Sequence, residues 1–243
     1  MPGSWELKKA NQVVVGILHT DATTMAWSFG LRGLALPGRE DLRMFWPFAP
    51  IAGQPFDMGR NSICAHMLSL KMPEWVFMLD SDVVPPKDAI SKLLSHKHPF
   101  VSGLYFRRSP PHGVPVAMRF AETTDERGNK VRVPQWLSDY VPGSTVEVDL
   151  VGSGCLLIHK TVLERVAPWP GREEKRWFDW RVDARGKKGF GEGDCLSEDY
   201  CLCRAVKEQL GISPLLVTSV VCKHIGLAEA HQGGMSPSGV GPT

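Results

Sequence analysis

The sequence predicts an α/β fold with a mostly parallel, doubly wound central sheet. Three observations support this: short β-branched runs alternate with segments of helical periodicity, three such pairs follow one another before residue 96, and turn-forming residues separate them. The 243 residues, 43% of them hydrophobic and 22% charged, suit one globular domain better than a disordered chain.

The first half alternates between predicted strands and helices. Residues 13–18 and 75–79 are short, uninterrupted apolar runs, which are typical of buried strands. Residues 58–70 place apolar side chains along one helical face, and Asp57 is the expected N-cap. In chain order, we predict strands at 13–18, 42–48 and 75–79 and helices at 24–36, 58–70 and 86–95.

The second half is less regular and is expected to add a small antiparallel portion. Residues 122–130 are polar and rich in turn formers, and residues 168–193 have the composition of a long functional loop. The Gly/Ser/Pro-rich segment after residue 226 is expected to be a mobile tail. We predict strands at 100–106, 114–120, 146–151, 155–159 and 215–221 and helices at 161–166 and 197–210.

Composition excludes several classes of protein. The net charge of +2 is too small to indicate nucleic-acid or membrane binding by itself. The six cysteines include no C-x-x-C pair, which argues against zinc and favours reduced thiols in a cytoplasmic protein. Residues 1–9 lack an apolar signal core, and no apolar run is long enough to span a bilayer.

The sharpest chemical signal is Asp80-Ser81-Asp82, directly after the apolar strand at 75–79. Hard divalent cations prefer oxygen ligands and often take one or two carboxylates together with substrate phosphates. A solvated turn leading into a helix is the alternative interpretation of the same residues. The position at the end of a buried strand, where open α/β sheets bind ligands, favours the metal.

The stretch from Trp75 to Pro86 resembles the DxD segment of GT-A fold glycosyltransferases, especially the inverting family two. Similar motifs follow the family's order over about residues 12–226: Gly59-Arg60-Asn61, Gly152-Ser153-Gly154-Cys155, Ser197-Glu198-Asp199-Tyr200 and His224. The resemblance implies a Rossmann-like sheet of GT-A type flanked by helices. It also implies one domain over 1–228, with a donor half at about 12–105, an acceptor half at about 106–228, and a flexible tail at 229–243.

The resemblance assigns a role to each motif. Asp199, with Glu198 second, would be the catalytic base, although acidic residues also simply complement a helix N-terminus. Mn²⁺ or Mg²⁺ would be held by Asp80, Asp82 and His224. Donor-binding residues would be His19, Thr20, Asp21, Arg60, Asn61, Asp80 and Ser81, and residues near the acceptor or the transferred sugar would be Gly152, Ser153, Gly154, Trp177 and Phe178. Three of these assignments also have a purely structural interpretation. Arg60 would be an ordinary surface arginine, residues 152–154 would form a plain tight turn, and Trp177 and Phe178 would pin the loop to the domain.

The expected activity is metal-dependent transfer of a sugar from a UDP- or GDP-sugar to an acceptor hydroxyl, with inversion. The acceptor stays open between a glycan, a small molecule and modified DNA, because Arg107-Arg108 and the basic segment 172–188 are also consistent with an ordinary solvated surface. A nucleotidyltransferase that makes a nucleotide sugar is one alternative, but residues 19–24 lack the glycines and lysine of a phosphate loop. A non-catalytic sugar-nucleotide-binding module is the other.

Overall fold

The computed structural model describes residues 13–18, 23–35, 42–45, 56–70, 73–110, 112–166, 176–180, 197–225, 228–231 and 234–237. The strands within these ranges are β1 (Val13–Leu18), β2 (Leu42–Phe45), β3 (Trp75–Asp80), β4 (Val83–Val84), β5 (Phe100–Leu104), β6 (Ala117–Thr124), β7 (Lys130–Trp136), β8 (Thr145–Glu147), β9 (Leu150–Val151), β10 (Cys155–His159), β11 (Leu215–Val221), β12 (Lys223–His224), β13 (Ala228–His231) and β14 (Gly234–Pro237). The helices are α1 (Met25–Gly33), α2 (Phe56–Ser69), α3 (Ala89–Ser95), α4 (Lys160–Arg165) and α5 (Glu198–Leu210).

A seven-stranded sheet with the order β2-β1-β3-β10-β5-β11-β8 forms the centre of the fold. β1 is parallel to β2 and β3, and β5 is parallel to β11. β10 is antiparallel to both of its neighbours, β3 and β5, and β8 is antiparallel to β11. The predicted fold class, a largely parallel sheet with a small antiparallel portion, is confirmed.

Helices lie on both faces of this sheet, and the side chains of β3 alternate between two buried clusters. In β3, Val76 and Met78 join the cluster that contains apolar residues of α2, α4 and α5. Trp75, Phe77 and Leu79 join the cluster that contains residues of α1 and α3. β3 is therefore buried on both faces, as its uninterrupted apolar run predicts.

Several predicted boundaries differ from the observed ones. α2 begins at Phe56, so Asp57 lies in the first turn of the helix instead of capping it. There its carboxylate still complements the helix dipole. α3 begins at Ala89, later than predicted, with Asp88 at the N-cap position. The described cysteines are all buried, which agrees with their predicted packing as small hydrophobic side chains.

The predicted polar excursion at 122–130 is part of a β-hairpin. β6 and β7 pair from Met118↔Trp136 to Thr124↔Lys130, and Asp125 Oδ1 closes the turn by accepting the N–H groups of Arg127 and Asn129. The prediction missed β7, which contains Pro134; proline is disfavoured within strands but is tolerated here because β7 pairs with one described strand, β6. β9 joins this hairpin to form a three-stranded sheet. The single strand predicted at 146–151 is in fact divided between β8 and β9.

A second small sheet has the order β14-β13-β12-β4. β13 and β14 pair over 228–231 and 234–237, within the segment expected to be a flexible tail. None of the described helices combines the length and the apolar character needed to cross a membrane.

Candidate active site

The carboxyl end of β3 brings the acidic motif next to the late histidine. The chain turns after Asp80 and forms β4, which pairs with β12 so that Val83 lies opposite His224. The N–H of Ile225 donates to the carbonyl oxygen of Asp82 over 2.7 Å. This two-residue ladder therefore joins segments about 140 positions apart at the edge of the sheet where α/β proteins bind ligands.

The side chains of Asp82 and His224 face each other, with 3.5 Å between Asp82 Oδ2 and His224 Nε2. The other ring nitrogen, Nδ1, lies 2.8 Å from the carbonyl oxygen of Phe106. Because a carbonyl can only accept, Nδ1 carries a proton, so Nε2 is the ring nitrogen that is left to bind a further partner. This is the arrangement of a metal-binding histidine, whose second nitrogen is held by a backbone carbonyl.

The electrostatics of Asp82 favour its charged form. Burial raises the pKa of its carboxyl, but the hydrogen bond and charge of His224 and the charge of Arg108 together outweigh burial, so the pKa lies below its ordinary value. Arg108 Nη2 contacts Asp82 Oδ2 at 2.7 Å, and Arg108 Nη1 donates to the carbonyl oxygen of Ile225 over 2.9 Å. The sequence interpretation treated Arg108 only as half of a basic pair and missed this contact.

Asp80 contacts Arg60. Arg60 Nη2 lies 2.9 Å and 3.2 Å from the two carboxylate oxygens of Asp80, and Arg60 Nη1 pairs with Glu198. Arg60 and Glu198 are both buried. Arg60, predicted to contact the donor, thus bridges the DxD loop and the start of α5.

Burial is the main cause of the pKa shifts of Asp80 and Glu198. It raises the pKa of Asp80, although Arg60 opposes the shift. It also raises the pKa of Glu198 from 4.5 to about 7, helped by the nearby charge of Asp199 and opposed by Arg60. Functional clefts typically contain a buried carboxyl of this kind, which is paired with an arginine on one side and lies beside another carboxyl on the other.

The three expected metal ligands do not form one cluster. Among the residues that the structure describes, no group of three or more His, Cys, Asp and Glu side chains could hold a metal ion. Asp82 and His224 converge, whereas Asp80 faces Arg60. The protein can therefore offer two ligand atoms at this point, one carboxylate oxygen and one imidazole nitrogen.

The segment 152–154 packs directly against the site. The N–H of Gly154 donates to the hydroxyl of Tyr105 over 3.1 Å, and the Tyr105 ring meets the His224 ring edge-on at 5.4 Å. A Cβ atom on Gly154 would lie 3.1 Å from Asp80 Oδ2, and one on Gly152 would lie 2.1 Å from the Tyr105 hydroxyl. Both glycines are thus required for close packing; Ser153, between them, is buried.

Asp199 and Glu198 begin α5 but differ in exposure. Glu198 is 4% exposed, whereas Asp199 is partly exposed. One oxygen of Asp199 is held by the hydroxyl of Ser197 and accepts the N–H of Tyr200 over 2.9 Å. Ser197 occupies the expected N-cap position, although its hydroxyl binds the Asp199 carboxylate instead of a backbone amide.

Asn61 fixes the aromatic segment 176–180 to α2. Asn61 Oδ1 accepts the N–H groups of Trp177 and Phe178 over 2.8 Å and 3.0 Å, and its amide donates to the carbonyl oxygen of Phe178. The indole N–H of Trp177 donates to Leu163. Both aromatic side chains are buried, 4% and 0% exposed, as expected for residues that pin a loop.

The remaining predicted donor residues are only partly described. His19, Thr20 and Asp21 lie outside the described residues. The N–H of Ser81 donates to the carbonyl oxygen of Leu18 over 2.9 Å, which holds the DxD loop against the end of β1.

Comparison with known proteins identifies the fold but no sequence family. The structure matches the crystal structure of A197 from STIV with a TM-score of 0.55 and 14% identity, over 96% of this chain and 97% of that one. It matches the crystal structure of GalNAc-T7 with UDP, GalNAc and Mn²⁺ with a TM-score of 0.50 and 13% identity, over 93% of this chain and 45% of that one. No protein-family model and no curated protein matches the sequence. At these identities the matches establish architecture only, and the chain therefore has a GT-A-like fold.

Proposed function

We propose that this protein is a glycosyltransferase that moves a sugar from a nucleotide-diphosphate donor to an acceptor hydroxyl, with Mn²⁺ or Mg²⁺ as cofactor. The observation that carries the proposal is the convergence of Asp82 and His224 at the carboxyl end of β3. Support also comes from the GT-A-like fold, because GalNAc-T7, a structure of similar fold, was solved with UDP, GalNAc and Mn²⁺.

The donor set suits a divalent cation. A carboxylate oxygen and a ring nitrogen 3.5 Å apart can both bind one cation at bond lengths of about 2.0–2.2 Å. An imidazole and a carboxylate also match the ligand preferences of Mn²⁺, with the donor's phosphates completing the shell. A bound cation neutralises the charge that develops on the departing diphosphate.

The protein's own groups position the donor. Asp80, held by Arg60, would contact the ribose, and its geometry is fixed because Arg60 is itself anchored by buried Glu198. Phe106 orients His224 through its carbonyl oxygen. His19, Thr20 and Asp21 follow β1 in the sequence, whose last residue, Leu18, is bonded to the DxD loop, and we assign them to the base and ribose.

Asp199 is the proposed base. Glu198 is buried against Arg60, whereas Asp199 is partly exposed and has one oxygen held by Ser197 and Tyr200. The other oxygen would take the proton of the acceptor hydroxyl as that hydroxyl attacks the anomeric carbon. A single base with displacement from the opposite face implies inversion.

The test is release of nucleoside diphosphate from a panel of UDP- and GDP-sugars, with and without Mn²⁺. Mn²⁺-dependent release of UDP or GDP supports sugar transfer. Formation of a nucleoside triphosphate when pyrophosphate is added would indicate a nucleotidyltransferase instead. Donor binding without turnover for any sugar, across glycan, small-molecule and DNA acceptors, would indicate a binding module.

A further inference from the structure

One oxygen of Asp82 has two partners of different kinds. Oδ2 lies 2.7 Å from Arg108 Nη2 and 3.5 Å from His224 Nε2. The guanidinium of Arg108 thus occupies the same carboxylate oxygen that, under the proposed function, would bind the cation. A divalent cation bound to this oxygen would lie close to the guanidinium of Arg108 and repel it strongly.

We propose that Arg108 competes with the divalent cation for Asp82, and that the donor's diphosphate takes over Arg108 once it is released. This inference rests on the proposed function and adds a specific role for one residue. It makes cation and donor binding cooperative: each ligand removes an obstacle to the other. By linkage, the factor by which the donor tightens cation binding equals the factor by which the cation tightens donor binding.

Arg108 is free enough to change partners, unlike the other arginine of the site. Its side chain is 41% exposed, and its second described hydrogen bond is to one carbonyl oxygen, that of Ile225. The Arg60 side chain is 6% exposed and lies between two carboxylates, so its release would leave buried charges without partners. The exposed ion pair of Arg108 is worth about 1 kcal/mol or less, which a cation and a diphosphate together can replace.

The chemistry of the side chain matches the new partner. A guanidinium binds phosphate oxygens with two parallel N–H groups, which an ammonium cannot do. The neighbouring Arg107 does not compete for this role, because its guanidinium stacks over the Trp136 ring at 4.3 Å. Arg107 therefore offers a matched control of equal charge, one position away, that does not contact Asp82.

The experiment measures Mn²⁺ binding, without turnover, to the wild type, Arg108→Ala and Arg107→Ala. Free Mn²⁺ is followed by electron paramagnetic resonance, first alone and then with saturating UDP or GDP, whichever the wild type binds. We expect Arg108→Ala to bind Mn²⁺ alone about fivefold more tightly, which corresponds to an exposed ion pair of about 1 kcal/mol. We also expect the nucleotide to tighten Mn²⁺ binding less in Arg108→Ala than in the wild type, because only the direct contact between phosphate and cation remains.

Arg108→Lys separates the effect of the positive charge on Mn²⁺ binding from the effect of the two-pronged guanidinium contact. It retains the positive charge but loses the two-pronged contact, so its Mn²⁺ affinity should lie near that of the wild type while its coupling to the nucleotide falls. Equal Mn²⁺ affinity in Arg108→Ala and the wild type, or an equal gain in Arg107→Ala, would overturn the inference and leave the proposed function standing. A wild type that binds no Mn²⁺ even with nucleotide would overturn both.

Discussion

Four carboxylates near the carboxyl end of β3 and the start of α5 differ in what each of them faces. Asp82 faces a histidine and an arginine, Asp80 and Glu198 share the buried Arg60, and Asp199 is held by a hydroxyl and a backbone amide. Under the proposed function, these environments would make Asp82 the cation ligand and Asp199 the accessible base, whereas Asp80 and Glu198 are partners of an arginine. The motifs identify the residues, but they do not indicate this division.

The sequence could not predict these pairings because they join distant positions. Arg60 and Glu198 are 138 positions apart, and His224 and the carbonyl of Phe106 are 118 apart. No periodicity links such residues; the contact depends on how α2 and α5 pack on one face of the sheet. Arg108 was missed for the same reason, since its partner Asp82 follows a different strand.

Substitution of Asp82 tests the cation ligand. Asp82→Asn keeps the shape of the side chain but removes its charge, and should reduce Mn²⁺-dependent binding of UDP or GDP by about tenfold or more, equivalent to at least 1.4 kcal/mol. Calorimetric titration with and without Mn²⁺ measures the effect. Asp88→Asn, on the exposed pair with Lys92, is the control and should bind as the wild type does. Unchanged Mn²⁺ dependence in Asp82→Asn would exclude the metal role.

Substitution of Asp199 tests the base. Asp199→Asn cannot accept a proton, so transfer should slow by about 10²–10⁴-fold while nucleotide affinity is retained. Steady-state kinetics and a binding titration on the same preparation separate the two effects. Asp139→Asn, in the exposed pair with Arg119, controls for a lost surface charge. Near-normal turnover in Asp199→Asn would remove this residue as the base.

The raised pKa of Glu198 predicts a pH dependence of stability. Its pKa is 4.5 ordinarily and about 7 in the folded protein, so the folded state binds this proton more tightly than the unfolded state does. The free energy of unfolding should therefore fall as the pH rises from about 4.5 to about 7, with a slope of up to about 1.4 kcal/mol per pH unit. Glu198→Gln should lose this contribution.

Urea denaturation at several pH values between 5 and 8 measures the slope. Asp80 contributes in the same direction in both proteins, so the difference between wild type and Glu198→Gln isolates Glu198. Glu122→Gln, exposed on the hairpin, should leave the slope unchanged. If the free energy of unfolding varied with pH in the same way in the wild type and Glu198→Gln, Arg60 would be keeping the Glu198 carboxylate charged at all these pH values.

Among the elements, central strands and long helices were predicted closely. β1 and β10 match their predicted bounds, because uninterrupted β-branched and aliphatic runs are characteristic of strands buried on both faces. In the β6–β7 hairpin, the predicted strand at 114–120 overlaps β6, whereas β7 was missed because Pro134 interrupts its alternating pattern. The segment 152–154 was predicted as a turn near a ligand, and the structure adds a reason for its glycines in the packing of Tyr105.

Gly152→Ala should destabilise this region. The added Cβ would lie 2.1 Å from the Tyr105 hydroxyl, an overpacking that costs about 1–3 kcal/mol. Urea denaturation measures the loss, and Gly33→Ala, with no atom within 4 Å of the added Cβ, is the control. The double variant Gly152→Ala/Tyr105→Phe should recover part of the loss, since it removes the colliding oxygen. Additive effects of the two substitutions would contradict this account.

At the scale of the whole molecule, the α/β class could be predicted because strand and helix patterns alternate and five of the seven central strands run in one direction. The antiparallel position of β10 between β3 and β5 could not be predicted, since strand order depends on long-range pairing. This position places the 152–154 segment beside Asp80, because Cys155 lies opposite Leu79.

Hydrogen exchange should reflect this architecture. Amides of β3, β10 and β5, buried on both sides, should exchange most slowly, and the outer end of the β6–β7 hairpin around residues 122–132 should exchange fastest. Mass spectrometry of proteolytic fragments after deuterium labelling resolves these segments within a single sample. Equal protection of the hairpin end and β10 would mean that the whole domain opens as one unit.

The β4–β12 ladder has a consequence for biosynthesis. Asp82 is translated more than a hundred codons before His224, and His224 follows β11, the last described strand of the central sheet. Under the proposed function, a nascent polypeptide therefore has no complete cation site until residue 224 has left the exit tunnel of the ribosome. Manganese would then be captured only by chains that have finished folding.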